Sequence, residues 1–555
     1  MKRILIANRG EIALRIIRAC RDAGYHSIAV ASEADRAALA AREADECHVL
    51  PGNAPRDTYL NQEAILAIAA RADADAVHPG YGLLSENEAF AAAVEAAGLT
   101  WIGPPPDAIA RLGDKVAARE IARGVGAPLL PSWEGSDLTT AKALDFVKAN
   151  GLPVIIKAQN GGGGRGMRIV RAEDDIEAQI AAAQREADLA FGRSECFIER
   201  YIERARHIET QCLADTHGKV IVVSTRDCTL QRRHQKLIEE APAPFLSARQ
   251  TGQLEEVSAA ILRAVGYRGA ATCEFLLTPD GDFYFLEVNT RIQVEHPVTE
   301  EVTSMDLIRS MFEIAEGGHL ADPPAVRGHA IEFRINAEDP WADFRPSPGR
   351  IAQLQFPMGP GIRLDFGYLA GDSVPPYYDS MMGKLIVSGR DRRQAIERAR
   401  RAFAEFRVEG VTTIIPFHAA ILAQPEFTSA DQNGFTVHTR WIDSEIQRLA
   451  DETRAVEAAR APQTEEMPSL MADDSPASVT LRLQYRAGVK APLSGMIIEL
   501  CVSEGDSVSE GDVVAVMEAM KMEQPVYAET SGTVATIIIA KGSFVEMDAD
   551  IMGLD

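Results

Sequence analysis

The segment ATCEFLLTPDGDFYFLEVNTRIQVEHP contains carboxylates at positions that a β-hairpin would oppose. The Asp-Gly pair at 280–281 lies between two apolar runs, which predicts a two-residue turn. With that turn, Glu274 faces Glu287 and Phe275 faces Leu286. Directly opposed side chains have Cβ atoms roughly 4.5–5.5 Å apart, so the two carboxylates repel unless a cation or proton lies between them. A hard divalent ion such as Mg²⁺, which also binds phosphate oxygens, would relieve this repulsion.

Polar residues continue at every second position of the same segment. If the strand extends, one face contains Glu287, Asn289, Arg291, Gln293 and Glu295. A guanidinium suits a small planar oxyanion such as bicarbonate, and a carboxylate at the end of the row could act as a general base. The alternative is a strand with an ordinary solvent-exposed face.

A glycine-rich loop joins two strand-like segments upstream, Leu152–Lys157 and Arg168–Arg171. A Walker A loop or Rossmann turn would need a helix after the glycines, so this loop is a hairpin of another kind. Glycine lets backbone N–H groups approach an anion closely, which favours a lid over a triphosphate; a loop without a ligand is the alternative. The candidate phosphate contacts are Gly162, Gly163, Gly164, Gly166, Lys115 and Lys157.

Two further segments add positive charge. QRRHQK places Arg232, Arg233, His234 and Lys236 together, which suggests an internal anion site on an otherwise acidic chain. Arg334 lies among apolar residues of a strand-like segment. An arginine in a core needs a carboxylate partner or an anion, so Arg334 is either structurally paired or directed at a substrate.

The end of the chain contains an internal repeat. Residues Ala491–Val508 match Ala528–Val545 at an offset of 37 residues. Two such copies predict a small β-sandwich with approximate two-fold symmetry. The joining segment, Met517–Gln524, would then form a protruding hairpin with Lys521 at its tip. Its EAMKM sequence resembles the attachment motif of biotinyl carrier domains. Lipoyl domains usually have Asp before the lysine and Ala after it, whereas Lys521 has Met on both sides, so biotin is preferred over lipoate.

Composition excludes several classes of function. The chain has 555 residues, 46% of them apolar and 25% charged, as in globular proteins. With 57 basic and 81 acidic residues the net charge is −24, which argues against wrapping nucleic acid or coating an anionic membrane. No membrane span or signal peptide is expected. Seven scattered cysteines without a CxxC pair favour reduced thiols in the cytoplasm.

Local patterns suggest how the chain is divided. Strand-like Lys2–Asn8 and Ser27–Ser32 flank an amphipathic helix at Glu11–Ala23, which predicts an open parallel sheet. The basic helix at Arg390–Arg407 is interpreted as a solvated face rather than a membrane or calmodulin segment. The predicted parts are an N-terminal domain at 1–113, a central domain at 114–328 with a lid at about 130–203, a third domain at 329–442, a linker at 443–478 and a carrier domain at 479–555.

Together these segments resemble biotin carboxylase fused to a biotin carboxyl carrier domain. The matching segments are ANRGEIALRI, HPGYGLLSEN, GDKVAAR, VIIKAQNGGGGRGMRIV, QRRHQK, EEAPAP, EVNTRIQVEHPVTE, RINAEDP, PSPG and VPPYYDSM. The resemblance covers about 1–442 and 479–555. It implies an α/β (α+β) ATP-grasp fold with a pre-ATP-grasp domain and a C-terminal domain, followed by an all-β biotinyl domain, a flattened β-sandwich.

The resemblance also implies a reaction and a set of roles. ATP would phosphorylate bicarbonate to carboxyphosphate, which would carboxylate N1′ of biotin attached to Lys521. Glu274, Glu287 and Asn289 would bind Mg²⁺ or Mn²⁺, and Glu295 would deprotonate bicarbonate, while Arg334 would stabilise the biotin enolate. Bicarbonate would be held by Lys236, Arg291, Gln293 and Val294. ATP would be held by Lys115, Lys157, Glu199, Ile202, His207, His234 and the glycine lid.

The short linker bears on the partners. About 36 residues at 443–478 are too few for the additional domain with which propionyl-type α subunits bind their β subunit. The chain therefore resembles the short α subunits of actinobacterial acyl-CoA carboxylases. This implies a separate carboxyltransferase β subunit, a biotin protein ligase and a homo-oligomer within a larger α/β complex. Acetyl-CoA and propionyl-CoA both remain open as substrates, and hence fatty acid biosynthesis or propionyl-CoA metabolism.

Two alternatives stand beside this hypothesis. One is a different ATP-grasp ligase to which the carrier domain is incidental. The other is a biotinylated scaffold or nucleotide sensor without catalytic activity, against which the intact set of candidate catalytic residues argues.

Overall fold

The computed structural model describes residues 1–555 except 134, 136, 160–166, 192, 461–486, 520 and 521. Its first part contains β1 (Arg3–Ile6), α1 (Gly10–Ala23), β2 (His26–Ser32), α2 (Leu39–Glu43), β3 (Glu46–Leu50), α3 (Gln62–Arg71), β4 (Ala76–His78), α4 (Glu88–Ala96), β5 (Thr100–Trp101) and α5 (Pro106–Gly113). The strands form a parallel sheet in the order β3-β2-β1-β4-β5. The predicted open parallel sheet is confirmed.

A small antiparallel sheet follows. Its region contains α6 (Lys115–Gly124), β6 (Ser132–Trp133), α7 (Thr140–Asn150), β7 (Val154–Ala158), β8 (Met167–Val170), a 3₁₀ turn (Glu173–Asp175), α8 (Ile176–Phe191) and β9 (Cys196–Arg200), with strand order β6-β9-β7-β8. Lys157 pairs with Met167, so the strands that flank the glycine loop are adjacent, as predicted. Gly162, Gly163, Gly164 and Gly166 lie outside the described residues.

One long antiparallel sheet forms the centre of the molecule. It is built from β10 (Arg206–Ala214), β11 (Val220–Arg232), β12 (Gln235–Ala241), β13 (Gly269–Leu277), β14 (Phe283–Asn289) and three later strands, and α9 (Ala248–Ala264), α10 (His296–Thr303) and α11 (Leu307–Ala315) follow within this region. The later strands are β15 (His329–Asn336), β20 (Ile362–Phe366) and β22 (Met381–Gly389), giving the order β14-β13-β10-β11-β12-β15-β22-β20. The sheet therefore continues across residue 328, where the sequence suggested a domain boundary.

The β13–β14 hairpin differs from its predicted pairing in an instructive way. Glu274 does pair with Glu287, but Phe275 pairs with Phe285 rather than Leu286. The turn is longer than two residues, because Thr278 N–H donates to the Asp282 carbonyl and Leu277 pairs with Phe283. This longer turn shifts the register by one residue, and a β-bulge at 286 shifts it back. The prediction for Phe275 was thus wrong, while the carboxylate pair was placed correctly.

The C-terminal part of the carboxylase region packs helices and short strands against this sheet. It contains β16 (Glu338–Asp339), β17 (Arg345–Pro346), β18 (Gly349–Arg350), β19 (Gln353–Gln355), β21 (Ser373–Val374), α12 (Arg392–Glu405), β23 (Arg407–Glu409), α13 (Ile415–Ile421), α14 (Pro425–Thr428) and α15 (Trp441–Arg460). In the basic helix α12, Arg393 is exposed and pairs with Glu397, whereas Arg392 turns inward to Glu240. Among the described residues, no helix is long and apolar enough to cross a membrane.

The carrier domain is all-β and reflects its sequence repeat. Its strands are β24 (Ala487–Lys490), β25 (Gly495–Leu500), β26 (Ser507–Val508), β27 (Val513–Ala519), β28 (Met522–Tyr527), β29 (Gly532–Ile537), β30 (Phe544–Val545) and β31 (Asp550–Leu554). They form two four-stranded sheets, β24-β31-β29-β26 and β28-β27-β25-β30. Gly495 pairs with Val545, and the repeat-related Gly532 pairs with Val508. The glycine of each copy thus pairs with the valine of the other copy, as the two-fold symmetry predicted from the repeat requires.

The segment around the predicted biotin site lies between the two halves of this domain. Ala519 pairs with Met522 across β27 and β28, so the strands that flank Lys521 form a hairpin as predicted. Lys521 itself lies outside the described residues.

Candidate active site

Neighbouring strands of the long sheet bring charged side chains into one row. Arg226 pairs with Glu209, Glu209 with Glu274, and Glu274 with Glu287, across β11, β10, β13 and β14. Because directly paired residues place their side chains on the same face, this face carries one guanidinium and three carboxylates side by side. Arg226 and Glu209 are fully buried, and the Arg226 guanidinium lies 3.0 Å from a Glu209 carboxylate oxygen.

The Lys236 ammonium is the cation at the centre of this cluster. Its Nζ atom lies 3.0 Å from Glu274 Oε1 and 2.8 Å from Glu295 Oε1, and it also contacts Glu209. Burial alone would lower the pKa of Lys236, but the Glu209, Glu274 and Glu295 carboxylates outweigh it and hold that pKa well above its ordinary value. Lys236 therefore remains charged and keeps three carboxylates together.

Glu295 lies between two cations. Its second oxygen, Oε2, lies 3.1 Å from Arg334 Nη2 on β15, opposite the contact of Oε1 with Lys236. Burial acts to raise the pKa of Glu295, but Lys236 and Arg334 outweigh it and lower the pKa to about 2. The carboxylate is therefore ionised and only 1% exposed, so it is free to accept a proton, but the two cations weaken it as a base while they contact it.

The segment that contains Glu295 is a loop and not the predicted strand. β14 ends at Asn289, and α10 begins at His296. The prediction of a continued period-two face was wrong here, because the backbone leaves the sheet and turns into a helix. The side chains nevertheless converge: Gln293 accepts from Arg226 at 2.7 Å and donates to Glu274 at 2.9 Å.

The three predicted metal ligands lie together. Asn289 Nδ2 donates to Glu274 Oε1 at 2.7 Å, and Glu287 is the cross-strand neighbour of Glu274. Burial and then the Glu274 charge raise the pKa of Glu287, so this carboxyl lacks a sufficient counter-charge. Oxygen donors with an uncompensated negative charge suit a hard divalent cation, and these residues therefore fit Mg²⁺ or Mn²⁺.

His207 lies on the other side of Glu274. Its Nε2 atom is 3.0 Å from Glu274 Oε2 and 3.2 Å from Glu209 Oε1. Burial acts to lower the pKa of His207, but these carboxylates raise it to about 9. The protonated imidazole thus joins Lys236 in compensating the acidic row, next to the atoms predicted to bind the metal.

Arg291 and Arg334 each have a carboxylate partner that the sequence did not reveal. Arg291 Nε lies 3.0 Å from Glu86 Oε2, in the loop that precedes α4, and Arg291 Nη2 donates to Asn289. Arg334 Nε lies 2.6 Å from Glu239 Oε1. Both guanidiniums are thereby held in place at the border of the cluster. Arg334 is thus structurally paired, and the roles of Arg291 and Arg334 toward substrates stay predictions.

The predicted nucleotide residues lie along the border between the small sheet and the long sheet. Lys157 Nζ is 3.0 Å from Glu199 Oε2, and Ile202 follows two residues after β9 ends. Burial lowers the pKa of Lys115, although the nearby Glu287 acts to raise it. His234 lies in the turn between β11 and β12 with a φ of 67°. The Glu287 charge thus acts on Lys115, which links Lys115 electrostatically to a predicted metal ligand.

Three buried residues of the cluster were missed from the sequence: Glu209, Arg226 and Glu239. Each lies on a strand of the long sheet, and apart from the contact of Glu209 with His207 the partners named here are 15 or more residues away in the chain. A polar residue in an otherwise apolar strand was the available signal, because a buried charge requires a partner.

Four family models match most of the chain, in the order in which their domains follow one another. Residues 1–109 match the biotin carboxylase N-terminal domain and 332–444 the biotin carboxylase C-terminal domain. Residues 114–322 match the ATP binding domain of the carbamoyl-phosphate synthase L chain, and 487–554 match the biotin-requiring enzyme family. Fold and site together define an ATP-grasp ligase with an attached biotinyl domain.

Individual relatives agree. The biotin-dependent acyl-coenzyme A carboxylase alpha3 subunit of Mycobacterium leprae is 45% identical over 98% of this chain and 97% of its own length. The biotin carboxylase of Campylobacter jejuni, solved with a β,γ-ATP ligand, has a TM-score of 0.77 and 42% identity over 80% of this chain and 98% of its own. The chain belongs to the biotin-dependent carboxylases, as an ATP-dependent biotin carboxylase joined to its biotinyl carrier domain.

Two further structures extend the comparison. The biotin carboxylase domain of Hydrogenobacter thermophilus 2-oxoglutarate carboxylase, crystallised as a dimer with MgADP, ADP and bicarbonate, has a TM-score of 0.78 and 40% identity over 81% of this chain and 98% of its own. A single-chain, multi-domain long-chain acyl-CoA carboxylase has a TM-score of 0.70 and 34% identity over 99% of this chain and 50% of its own.

The opposed carboxylates lead to a first prediction. We expect Glu287→Gln to raise the thermal midpoint of the metal-free protein by about 2 °C or more, because it removes a half-buried charge next to the buried Glu274. The same change should weaken Mg²⁺ binding at least about tenfold. Thermal unfolding in EDTA and in graded Mg²⁺ measures both effects. Exposed Glu256→Gln on α9 is the control, and equal shifts with and without Mg²⁺ would contradict a metal role.

His418 leads to a second prediction. Its Nε2 atom lies 2.7 Å from the Arg334 carbonyl oxygen, and burial lowers the pKa of His418 to about 4. The unfolded state therefore binds a proton more readily, so stability should fall from about pH 6.5 to about pH 4 and then level off. The lowered pKa of His418 should change the free energy of unfolding by about 3 kcal/mol across this pH range. Urea unfolding measures the free energy of unfolding of the wild type and of His418→Gln, and the difference between the two should change with pH between about pH 4 and 6.5. A difference that is the same at every pH would refute the lowered pKa of His418.

Proposed function

We propose that the chain carboxylates its own biotinyl group with bicarbonate, and that Glu295, Lys236 and Arg334 are its central catalytic residues. The observation that supports this most directly is the ionised Glu295 carboxylate held between the two cations, at 2.8 Å from Lys236 and 3.1 Å from Arg334. Such a group can take a proton from bicarbonate while the neighbouring ammonium binds the resulting anion.

The first step activates bicarbonate. Lys236, Arg291, Gln293 and the backbone of Val294 would hold the anion so that its hydroxyl faces Glu295. Proton transfer to a Glu295 oxygen leaves a bicarbonate oxygen free to attack the γ-phosphorus of ATP. The O–P bond to ADP breaks as the new O–P bond forms, which gives carboxyphosphate and ADP.

The nucleotide is positioned by residues on both sides of this cluster. Lys115, Lys157, Glu199, Ile202, His207 and His234 would surround ATP. Gly162, Gly163, Gly164 and Gly166, which lie outside the described residues, stay predicted phosphate contacts. A divalent ion bound by Glu274, Glu287 and Asn289 would supply charge neutralisation at the β- and γ-phosphates. The Hydrogenobacter domain of the same fold was crystallised with MgADP and bicarbonate, which supports the choice of these ligands.

The second step transfers the carboxyl group. Biotin attached to Lys521 would supply the ureido N1′ as the nucleophile. The C–O bond of carboxyphosphate would break as the N1′–C bond forms, and the departing phosphate would take the N1′ proton. Arg334, with its Nε atom 2.6 Å from Glu239, offers its remaining N–H donors to the ureido oxygen and would stabilise negative charge there. Because Glu239 holds the planar guanidinium in one orientation, little reorganisation is needed when that charge develops.

The family resemblance and a named relative bear on the partners. We infer a separate carboxyltransferase β subunit that takes CO₂ from biotinyl-Lys521 to an acyl-CoA, acetyl-CoA or propionyl-CoA. The Mycobacterium leprae relative is named as an α subunit, which supports this division of labour. A biotin protein ligase, a homo-oligomer within an α/β complex, and a cytoplasmic location remain predictions from the sequence.

The proposed base gives a third prediction. Glu295→Gln should lower bicarbonate-dependent ADP formation at least about 100-fold, because general-base catalysis contributes roughly 10²–10⁴-fold. ATP binding, followed by fluorescent-nucleotide titration, should change less than about threefold. The control is Glu301→Gln on α10, which lies outside the cluster. Retained turnover in Glu295→Gln would exclude Glu295 as the base.

The attachment site gives a fourth prediction. Coexpression with biotin protein ligase should add one biotinyl group to the wild-type chain and none to Lys521→Arg, as measured by intact-protein mass. Both proteins should carboxylate free biotin equally, because Lys521 belongs to the carrier domain. ADP formation that depends on bicarbonate but not on free or attached biotin would favour a different ATP-grasp ligase.

A further inference from the structure

Lys384 is a fully buried lysine that has no place in the mechanism above. It lies on β22, directly opposite Arg334 on β15 and Asp365 on β20. Its side chain is 0% exposed. A buried ammonium is costly unless several partners compensate its desolvation, so the partners of this group indicate what it does.

Two contacts of the ammonium connect separate parts of the molecule. Nζ lies 3.0 Å from Glu11 Oε1 on α1, and Glu11 also accepts a hydrogen bond from the Tyr81 hydroxyl. Nζ also donates to the backbone carbonyl of Val294 at 2.9 Å. Burial acts to lower the pKa of Lys384, but the Glu11, Glu332 and Asp365 carboxylates raise it, so the group remains a charged donor.

The Val294 carbonyl belongs to the peptide bond that leads into Glu295. This peptide lies in the loop between β14 and α10, where the backbone has left the sheet and has no ladder of strand hydrogen bonds to fix it. Because the peptide is planar, fixing the Val294 carbonyl also fixes the direction of the Glu295 N–H in the same plane. The bond from Lys384 thus orients the Val294–Glu295 peptide, while Lys236 and Arg334 hold the Glu295 carboxylate itself.

We propose that Lys384 is a positioning residue for bicarbonate, which acts by holding the Val294–Glu295 peptide through its carbonyl oxygen. The proposal rests on the function proposed above. It assigns Lys384 a role separate from its ion pair with Glu11. A purely structural lysine would affect the binding of all substrates through stability, whereas a positioning lysine affects bicarbonate before it affects ATP.

Removing Lys384 alone would leave Glu11 as a buried, uncompensated charge, and the protein could then fail to fold. The informative variant is therefore the double change Glu11→Gln, Lys384→Met, which removes both charges and keeps an apolar side chain of similar length. Glu11→Gln alone is the matched control, because it removes the ion pair and leaves the Lys384–Val294 hydrogen bond. Arg15→Met controls for losing another buried ion pair of α1, the one with Glu300.

The experiment measures ADP formation by the full chain with free biotin, as a function of bicarbonate and of MgATP. We expect the double variant to raise the KM for bicarbonate at least about tenfold and the KM for MgATP less than about twofold. Glu11→Gln and Arg15→Met should stay within about threefold of wild type for bicarbonate. Circular dichroism and thermal unfolding establish that each variant is folded.

Three outcomes would overturn the proposal. The first is a double variant whose KM for bicarbonate equals that of Glu11→Gln, and the second is an equal rise in the KM values for bicarbonate and MgATP. The third is a failure to fold of both this double variant and a second double variant that combines Glu11→Gln with Lys384→Gln, which would make Lys384 structural. A wild-type chain without bicarbonate-dependent ADP formation would instead refute the proposed function itself. The two failures are therefore distinguishable.

Discussion

The contact between one ammonium and three buried carboxylates is the interaction on which the rest of the site depends. Lys236 touches Glu209, Glu274 and Glu295, which lie on β10, on β13 and in the loop before α10. Without this cation the three negative charges would be forced together in a region of low dielectric, where repulsion is strong. Its presence lets the protein keep the proposed base, a proposed metal ligand and a supporting carboxylate within one small volume.

The long sheet makes this arrangement possible. Its strands continue from the ATP-binding region into the C-terminal region, so Arg334 on β15 reaches the same cluster as Glu274 on β13. Antiparallel pairing fixes the height of each side chain, and the row from Arg226 to Glu287 is a direct result. Although the whole protein is acidic, the site has no excess of positive charge, because carboxylates pair with the buried cations of the cluster. Bound anionic substrates would replace some of these carboxylates as partners of the cations.

Local patterns predicted much of this from the sequence, and distant contacts explain what was missed. The carboxylate pair at Glu274 and Glu287 was correct because a hairpin is short-range, although two irregularities compensated for each other in its register. The symmetry of the carrier domain was predictable because the sequence contains two similar copies of one segment at an offset of 37 residues. Glu209, Arg226 and Lys384 could not be assigned, since their partners lie on strands and helices far away in the chain. The break of the strand after Asn289 was missed because its alternating pattern continues through a loop.

The central claim is that this cluster makes bicarbonate attack the γ-phosphate of ATP. It is tested most directly by turnover of the full chain in ¹⁸O-labelled bicarbonate with free biotin, followed by mass analysis of the released phosphate. If bicarbonate oxygen forms the bond to phosphorus and remains there when the carboxyl group leaves, one ¹⁸O atom should appear in each phosphate. Phosphate without the label, at the same rate of ADP formation, would show that water attacks ATP instead and would contradict the account.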